Sequence, residues 1–316
     1  MDRREFLAAA AGAVAATAAA SPAEGKPAML PVIDTHQHLW DLAKFRLGWL
    51  TSKDNPLARS YTPQDYAEAT AGLNVVKSVY MEVDVVPEQQ QQEADFIVAL
   101  CESGKTPTCA AVISGRPASD GFAKYITPYK GHRYVKGVRQ VLHVESTPPG
   151  YCLDPKFVKG IQLLGDLGLS FDLCIRPAEL PDMAKLVDQC PGTRFILDHC
   201  GNPRADFTKD QWDRWRKDMA DIARRKNVVC KVSGVVANGY QKGKWKPDDL
   251  APAVNGTIEA FGIDRVMFGG DWPVCTVAAT YKEWLTALRQ LIAARPEADQ
   301  KKLLHDNAAK VYGIEP

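Results

Sequence analysis

The sequence predicts an α/β chain wound as a (β/α)8 TIM barrel, and three observations lead there. Eight short apolar runs alternate with helix-like runs, the pattern of parallel βαβ units, and eight such units close a cylinder. At 316 residues the chain is long for one core unless that core is a large barrel. No Gly-x-Gly-x-x-Gly turn follows the first apolar run, which weakens the rival reading of a doubly wound open sheet.

Residues 1–28 stand outside the barrel, which is expected over residues 29–316. Arg3-Arg4-Glu5-Phe6-Leu7, an Ala-rich run over 8–20 and the small residues Ala18-Ala19-Ala20 before Ser21-Pro22 resemble a twin-arginine export signal. The mature protein is therefore expected to be exported to the periplasm. The Ala-rich run is too short and too mildly apolar for a stable membrane span. Pro31, Val32 and Ile33 open the first strand, and the Trp-rich connection over 39–61 is long enough to be a functional loop. Thr62 followed by Pro63 marks a helix start, and that helix runs to about Gly72. Further strand-like runs fall at 75–83, 109–114, 135–142, 169–175, 194–198, 228–232 and 265–268. Helix-like runs cover 88–103, 120–129, 155–167, 180–189, 209–226, 247–261 and 280–294, and 299–312 reads as an extra helix ended by Gly313.

With 39 basic and 38 acidic residues the net charge is +1, and no basic run interleaves with aromatics. A nucleic-acid surface is not expected, and the charge balance leaves a small neutral or anionic substrate open. None of the eight cysteines forms a Cys-x-x-Cys pair. Cys109, Cys174, Cys200 and Cys230 lie in or beside apolar runs and read as free, buried thiols, while Cys101, Cys152, Cys190 and Cys275 are left open.

A barrel gathers its chemistry at the C-terminal ends of its strands. The first strand ends in Ile33-Asp34-Thr35-His36-Gln37-His38, and strict alternation would send Asp34, His36 and His38 to one face. Two imidazoles so delivered can share one cation. The other strand ends supply Glu82 and Asp84, Arg139, Gln140 and His143, Asp172 and Arg176, Asp198 and His199, Lys231 and Ser233, and Asp271-Trp272-Pro273 after two glycines. Apolar strands need no such endings, and leaving a neutral polar group buried and unpaired costs roughly 2–7 kcal/mol.

The stretches IDTHQHLW (33–40), VKGVRQVLH (135–143), LDHCGNP (197–203), KVSG (231–234) and FGGDWPV (268–274) resemble the amidohydrolase superfamily, in particular its sugar lactonase branch. The resemblance implies a distorted barrel, hydrolysis of a lactone ring, and a site made of His36, His38, His199 and Asp271. Dinuclear superfamily members carry a lysine after strand four and a histidine after strand five. Here Arg139 or His143 and Asp172 stand in those places, so one divalent ion, zinc foremost, or none is expected rather than a dinuclear centre.

Lactone hydrolysis needs a base for water and fixed positive charge or donors at the developing oxyanion. Asp271 is expected to be the base, with His199 and one of Arg139 or Arg176 polarising the carbonyl. His36, His38, His199 and Asp271 would hold a metal. Arg176, Glu82, Trp40 and Trp272 are candidate substrate contacts, with Trp49 beside Trp40 on the same loop. Arg139 and Arg176 have an equally weighted structural reading as ion-pair partners of Glu82 and Asp172. His132 and His143 are read as structural or solvent-facing, and His305, on the final helix without a partner in sequence, is expected to have no catalytic role. The competing functions are a metal-dependent, non-oxidative decarboxylase of an aromatic or unsaturated acid, and a non-catalytic binding protein. The identity of the lactone rests on loops such as 39–61 and 237–246, whose shapes the sequence does not give, and oligomeric state is equally open.

Overall fold

In the computed structural model the described residues are 29–315, so the twin-arginine stretch lies outside them. Eight parallel strands follow one another around the barrel in chain order: β1 (Val32–Gln37), β2 (Val75–Met81), β3 (Thr108–Ser114), β4 (Val135–Val141), β5 (Ser170–Cys174), β6 (Arg194–Leu197), β7 (Val228–Val232) and β8 (Val266–Phe268). Closure between the last strand and the first is incomplete. No regular ladder joins them; the Thr35 hydroxyl donates to the Phe268 carbonyl at 2.7 Å, and a single bridge pairs Gln37 with Trp272.

The outer layer consists of α1 (Pro63–Thr70), α2 (Gln90–Ser103), α3 (Phe122–Ile126), α4 (Pro155–Asp166), α5 (Leu180–Gln189), α6 (Lys209–Ile222), α7 (Pro247–Phe261) and α8 (Tyr281–Ile292). Thr62, Thr208 and Thr280 close capping boxes with Asp65, Gln211 and Glu283, so three helix starts are fixed by the side-chain chemistry readable in the sequence. α3 is shorter than the expected 120–129: Pro128, with no N–H to give, falls in a 3-10 turn that ends it. α6 stops at Ile222 rather than 226, and Arg225 folds back onto Asp221 and Asp188.

The extra C-terminal helix is α9 (Glu297–Lys301), a π-helical turn (Lys302–Asp306) and α10 (Asn307–Tyr312), ended by Gly313 at φ 59°. It stoppers the N-terminal end of the barrel. Ala308 and Tyr312 pack against inward-facing Ile33, Val79, Met81, Ala110, Val112, Ile196 and Met267. Polar chemistry is thereby confined to the opposite end.

Two expectations change. β1 does not alternate strictly, because its register against β2 shifts between Asp34 and Gln37. His36 and His38 face the barrel axis, whereas Asp34 turns to the helix layer and accepts from Tyr66 Oη at 2.8 Å, Tyr281 Oη at 3.1 Å and the Gly270 amide at 2.7 Å. The open cysteine question also closes: all eight are free thiols, seven of them buried and Cys109 half-buried. Among the described residues no helix is long and apolar enough to cross a membrane.

Candidate active site

The wide end of the barrel holds a cavity of about 310 Å³, and His38, His199, Arg139 and Asp271 lie at its base. His36 sits just beneath. The opening and closing strands meet here: Asp271 Oδ1 is 3.5 Å from His38 Nε2 and 3.7 Å from His36 Nε2. The His199 ring centroid lies 4.4 Å from that of His36.

Backbone strain concentrates at this rim. Asp84, His199, Cys200, Asn202 and Asp271 all have φ between 51° and 58°, a left-handed conformation that costs of order 1–3 kcal/mol for a non-glycine residue. Neighbouring glycines make room for them. A Cβ on Gly234 would come within 2.4 Å of the His199 ring, and one on Gly270 within 2.6 Å of Asp34 Oδ2. Gly234 thus marks a close approach to a site histidine, and Gly270 a close approach to the Asp34 brace beneath the rim.

The proton positions follow from the partners. His38 Nδ1 lies 3.0 Å from the Met81 carbonyl, which can only accept, so Nδ1 carries the hydrogen and Nε2 presents its lone pair to Asp271. Arg139 Nη1, which can only donate, lies 3.2 Å from His36 Nε2, so His36 also holds a lone pair there and directs Nδ1–H toward Asp198 Oδ1 at 3.4 Å. Lys231 Nζ is 3.5 Å from that same Nδ1. With the proton on Nδ1 that contact is no hydrogen bond, and Lys231 acts instead on Asp172 at 2.6 Å and Asp198 at 3.2 Å. His199 Nδ1 meets Ser233 Oγ at 2.9 Å, and a hydroxyl can either give or take that proton.

Burial holds all three imidazoles neutral at pH 7: His36 falls well below its ordinary value, His199 falls, and His38 drops to about 3. Burial likewise pushes the Asp271 carboxyl up to about 6 and Asp172 up to about 7. It would raise Asp198 too, but Lys231 and His36 outweigh it and keep that carboxyl well below the usual range.

This site has the donor set for a cation. Two imidazole lone pairs and a carboxylate oxygen converge with their ligand atoms within 4.8 Å of one another, and His36, Asp198 and His199 form a second such group. Acceptors facing acceptors repel unless a proton or a metal lies among them. The charge count agrees: two cations, Arg139 and Lys231, face four buried carboxylates, Glu82, Asp172, Asp198 and Asp271, leaving a formal −2. Zinc in a hundredfold excess over its Kd is expected to stabilise the protein by roughly 2.7 kcal/mol, about 4–5 °C in Tm. The shift should vanish in His38→Ala; an unchanged shift in that variant would remove His38 from the donor set.

The remaining sequence candidates are divided. Trp40 and Trp49 line the cavity. Glu82 lies behind Arg139, accepting from its Nε at 2.6 Å, while its backbone carbonyl takes Nη2 at 2.7 Å. Trp272 packs below the rim, 5.3 Å from Tyr61 and 5.4 Å from Tyr66. Arg176 does not reach the cavity wall. It braces a loop through the carbonyls of Leu142 and Thr147, and its ion pair is with Glu179 at 3.4 Å, not Asp172. Asp172 belongs to Lys231, a buried partnership that sequence spacing did not reveal.

A family model described as Amidohydrolase matches residues 33–314, nearly all of the described chain. The chain belongs to the amidohydrolase family. This amidohydrolase is 27% identical to the L-fucono-1,5-lactonase of Burkholderia multivorans over 291 residues, 89% of this chain and 96% of the relative. It is 24% identical to the L-rhamnono-gamma-lactonase of Scheffersomyces stipitis, covering 90% of this chain and 98% of that one. Among solved structures it is similar to a zinc-bound amidohydrolase of Burkholderia multivorans, with TM-score 0.80, 24% identity and coverage of 90% of this chain and 100% of the other. At that identity the structural likeness speaks for the shared amidohydrolase fold.

Proposed function

We propose that this amidohydrolase opens the ring ester of a lactone, with Asp271 as general base. The observation that carries the reading is the Asp271 carboxylate held against His38 and His36 at the base of a closed-bottomed cavity, in a chain similar to two lactonases. Asp271 takes a proton from water as the water oxygen attacks the carbonyl carbon. His199 donates to the developing oxyanion from Nε2 when its bare Nδ1 accepts from the Ser233 hydroxyl, and Arg139 adds positive charge from the cavity floor. The acyl C–O bond then breaks, Asp271 returns its proton to the ring oxygen, and a hydroxy acid leaves.

One divalent cation, zinc first, would be held by His36, His38 and Asp271, whose donor atoms converge, with His199, its ring beside that of His36, as the fourth ligand expected from the sequence. When bound it supplies Lewis-acid polarisation and a water acidified toward a pKa of about 7. Arg139 puts fixed positive charge where two-metal superfamily members place a lysine, which supports a single-ion site.

A lactone panel followed by acid release, on protein of measured metal content, tests the reading. Carbon dioxide release from aromatic acids without any lactone opening would replace it with the decarboxylase alternative. In metal-free protein the rate should fall as pH drops through about 6, because the base is then protonated. A cation on the same carboxylate favours its ionised form and moves that limb to lower pH. A rate flat from pH 8 to pH 4 would remove Asp271 as the base.

The N-terminal stretch supports export through the twin-arginine route, leaving a periplasmic enzyme. Fractionation of the native host should recover protein lacking its first residues from the periplasm; recovery of the intact chain from the cytosol would overturn this.

A further inference from the structure

The cavity has two kinds of surface. Its base carries the histidines, Arg139 and Asp271, while its wall is built from Trp40, Trp49, Leu57, Val83, Val144 and Val274. Both indoles turn their only polar atom out of the cavity: Trp40 Nε1 donates to the Arg59 carbonyl at 2.6 Å and Trp49 Nε1 to the Val83 carbonyl at 2.8 Å. What remains toward a ligand is ring surface, the two indoles packed edge to face at 5.7 Å between centroids.

The polar side chains in the wall are largely committed. Arg116 holds Asp84 Oδ1 at 2.7 Å, Asn202 Nδ2 donates to the Ile175 carbonyl at 2.7 Å, and Asn238 Nδ2 donates to Asn202 Oδ1 at 3.3 Å. Among the described residues the wall keeps few free polar atoms: Asn238 Oδ1, the second Asp84 oxygen and the His143 ring. A lactone with a hydroxyl on every ring carbon needs a partner for each one as it loses water. Here most would face indole or valine, and each unmatched hydroxyl is expected to cost about tenfold in kcat/KM.

We infer that the preferred substrate is a lactone carrying an apolar substituent, alkyl or aryl, that lies on the tryptophan and valine wall while the ring ester meets the polar base. This rests on the lactone reading above and narrows it to a chemical class.

The test compares kcat/KM for δ-octanolactone and dihydrocoumarin with that for D-glucono-1,5-lactone and D-galactono-1,4-lactone, in wild type and in Val144→Asn. The apolar pair should be favoured by about 100-fold in the wild type. Val144→Asn should lower that ratio at least about fivefold by giving hydroxyls a partner. Faster turnover of the hydroxylated lactones, or a ratio that Val144→Asn does not move, overturns the assignment and leaves lactone hydrolysis standing. Failure to open any of the four overturns both.

Discussion

Asp271→Asn should lose about two to four orders of magnitude in kcat/KM and yet, in chelated protein at pH 8, melt no lower than the wild type. Removal of a residue that acts as general base costs about 10²–10⁴-fold, and the amide cannot accept the proton. The stability half follows from the sign of the titration. Burial raises this carboxyl from an ordinary value near 3.8 to about 6, so the folded state prefers it protonated. Stability linked to that proton is present below the unfolded value and is lost as pH rises through about 6. At pH 8 the ionised group is thus a cost, of order 2–3 kcal/mol for a shift of this size, and the isosteric neutral amide is spared it. Kinetics and thermal melting on the same preparation decide the matter. Retained turnover would remove the base; lost turnover with a fall in Tm of about 5 °C or more would mean that Asp271 holds the rim together instead.

The sequence exposed the eightfold alternation because the strands are short, apolar and separated by helices with Thr caps, and each of these is a local signal. It exposed the rim residues because a buried polar side chain at the end of an apolar run must have a partner or a ligand. It did not expose direction within β1, since alternation assumes a regular ladder and the register shift after Asp34 is set by β2. Asp34 is thereby reassigned from the metal-facing side to a brace that joins Tyr66, Tyr281 and Gly270. The role of Arg176 was equally hidden. A cation after a strand end reads as a site residue, and only the path of the chain over 142–147 reveals that backbone carbonyls consume it. The clustered left-handed residues leave one faint sequence trace, the glycines beside them, but His199 and Asp271 themselves carry no sign of their φ.

Lys231 is the deepest case, and its removal should have the largest effect on folding. A lysine near the C-terminal end of β7 has no exposure at all; it contacts Asp172 at 2.6 Å and Asp198 at 3.2 Å, with its ammonium 6.0 Å from the Tyr312 ring of the C-terminal stopper. Lys231→Met leaves two buried carboxyls without their shared cation, and breaking such a cluster costs about 3–5 kcal/mol. Urea unfolding should show that loss. Asp172→Leu in the same chain removes one stranded carboxyl and should recover part of it, since a buried pair replaced by apolar side chains is often neutral. Activity should not return with stability. Asp198 would keep Arg139 at 3.6 Å but lack Lys231, the stronger of the cations that keep it ionised and directed at His36 Nδ1, so the partner that fixes the imidazole's tautomer is weakened. Full recovery of kcat in the double variant would reduce Lys231 to a packing element. Recovery of stability alone would make it the residue through which the floor of the barrel sets the histidine above it.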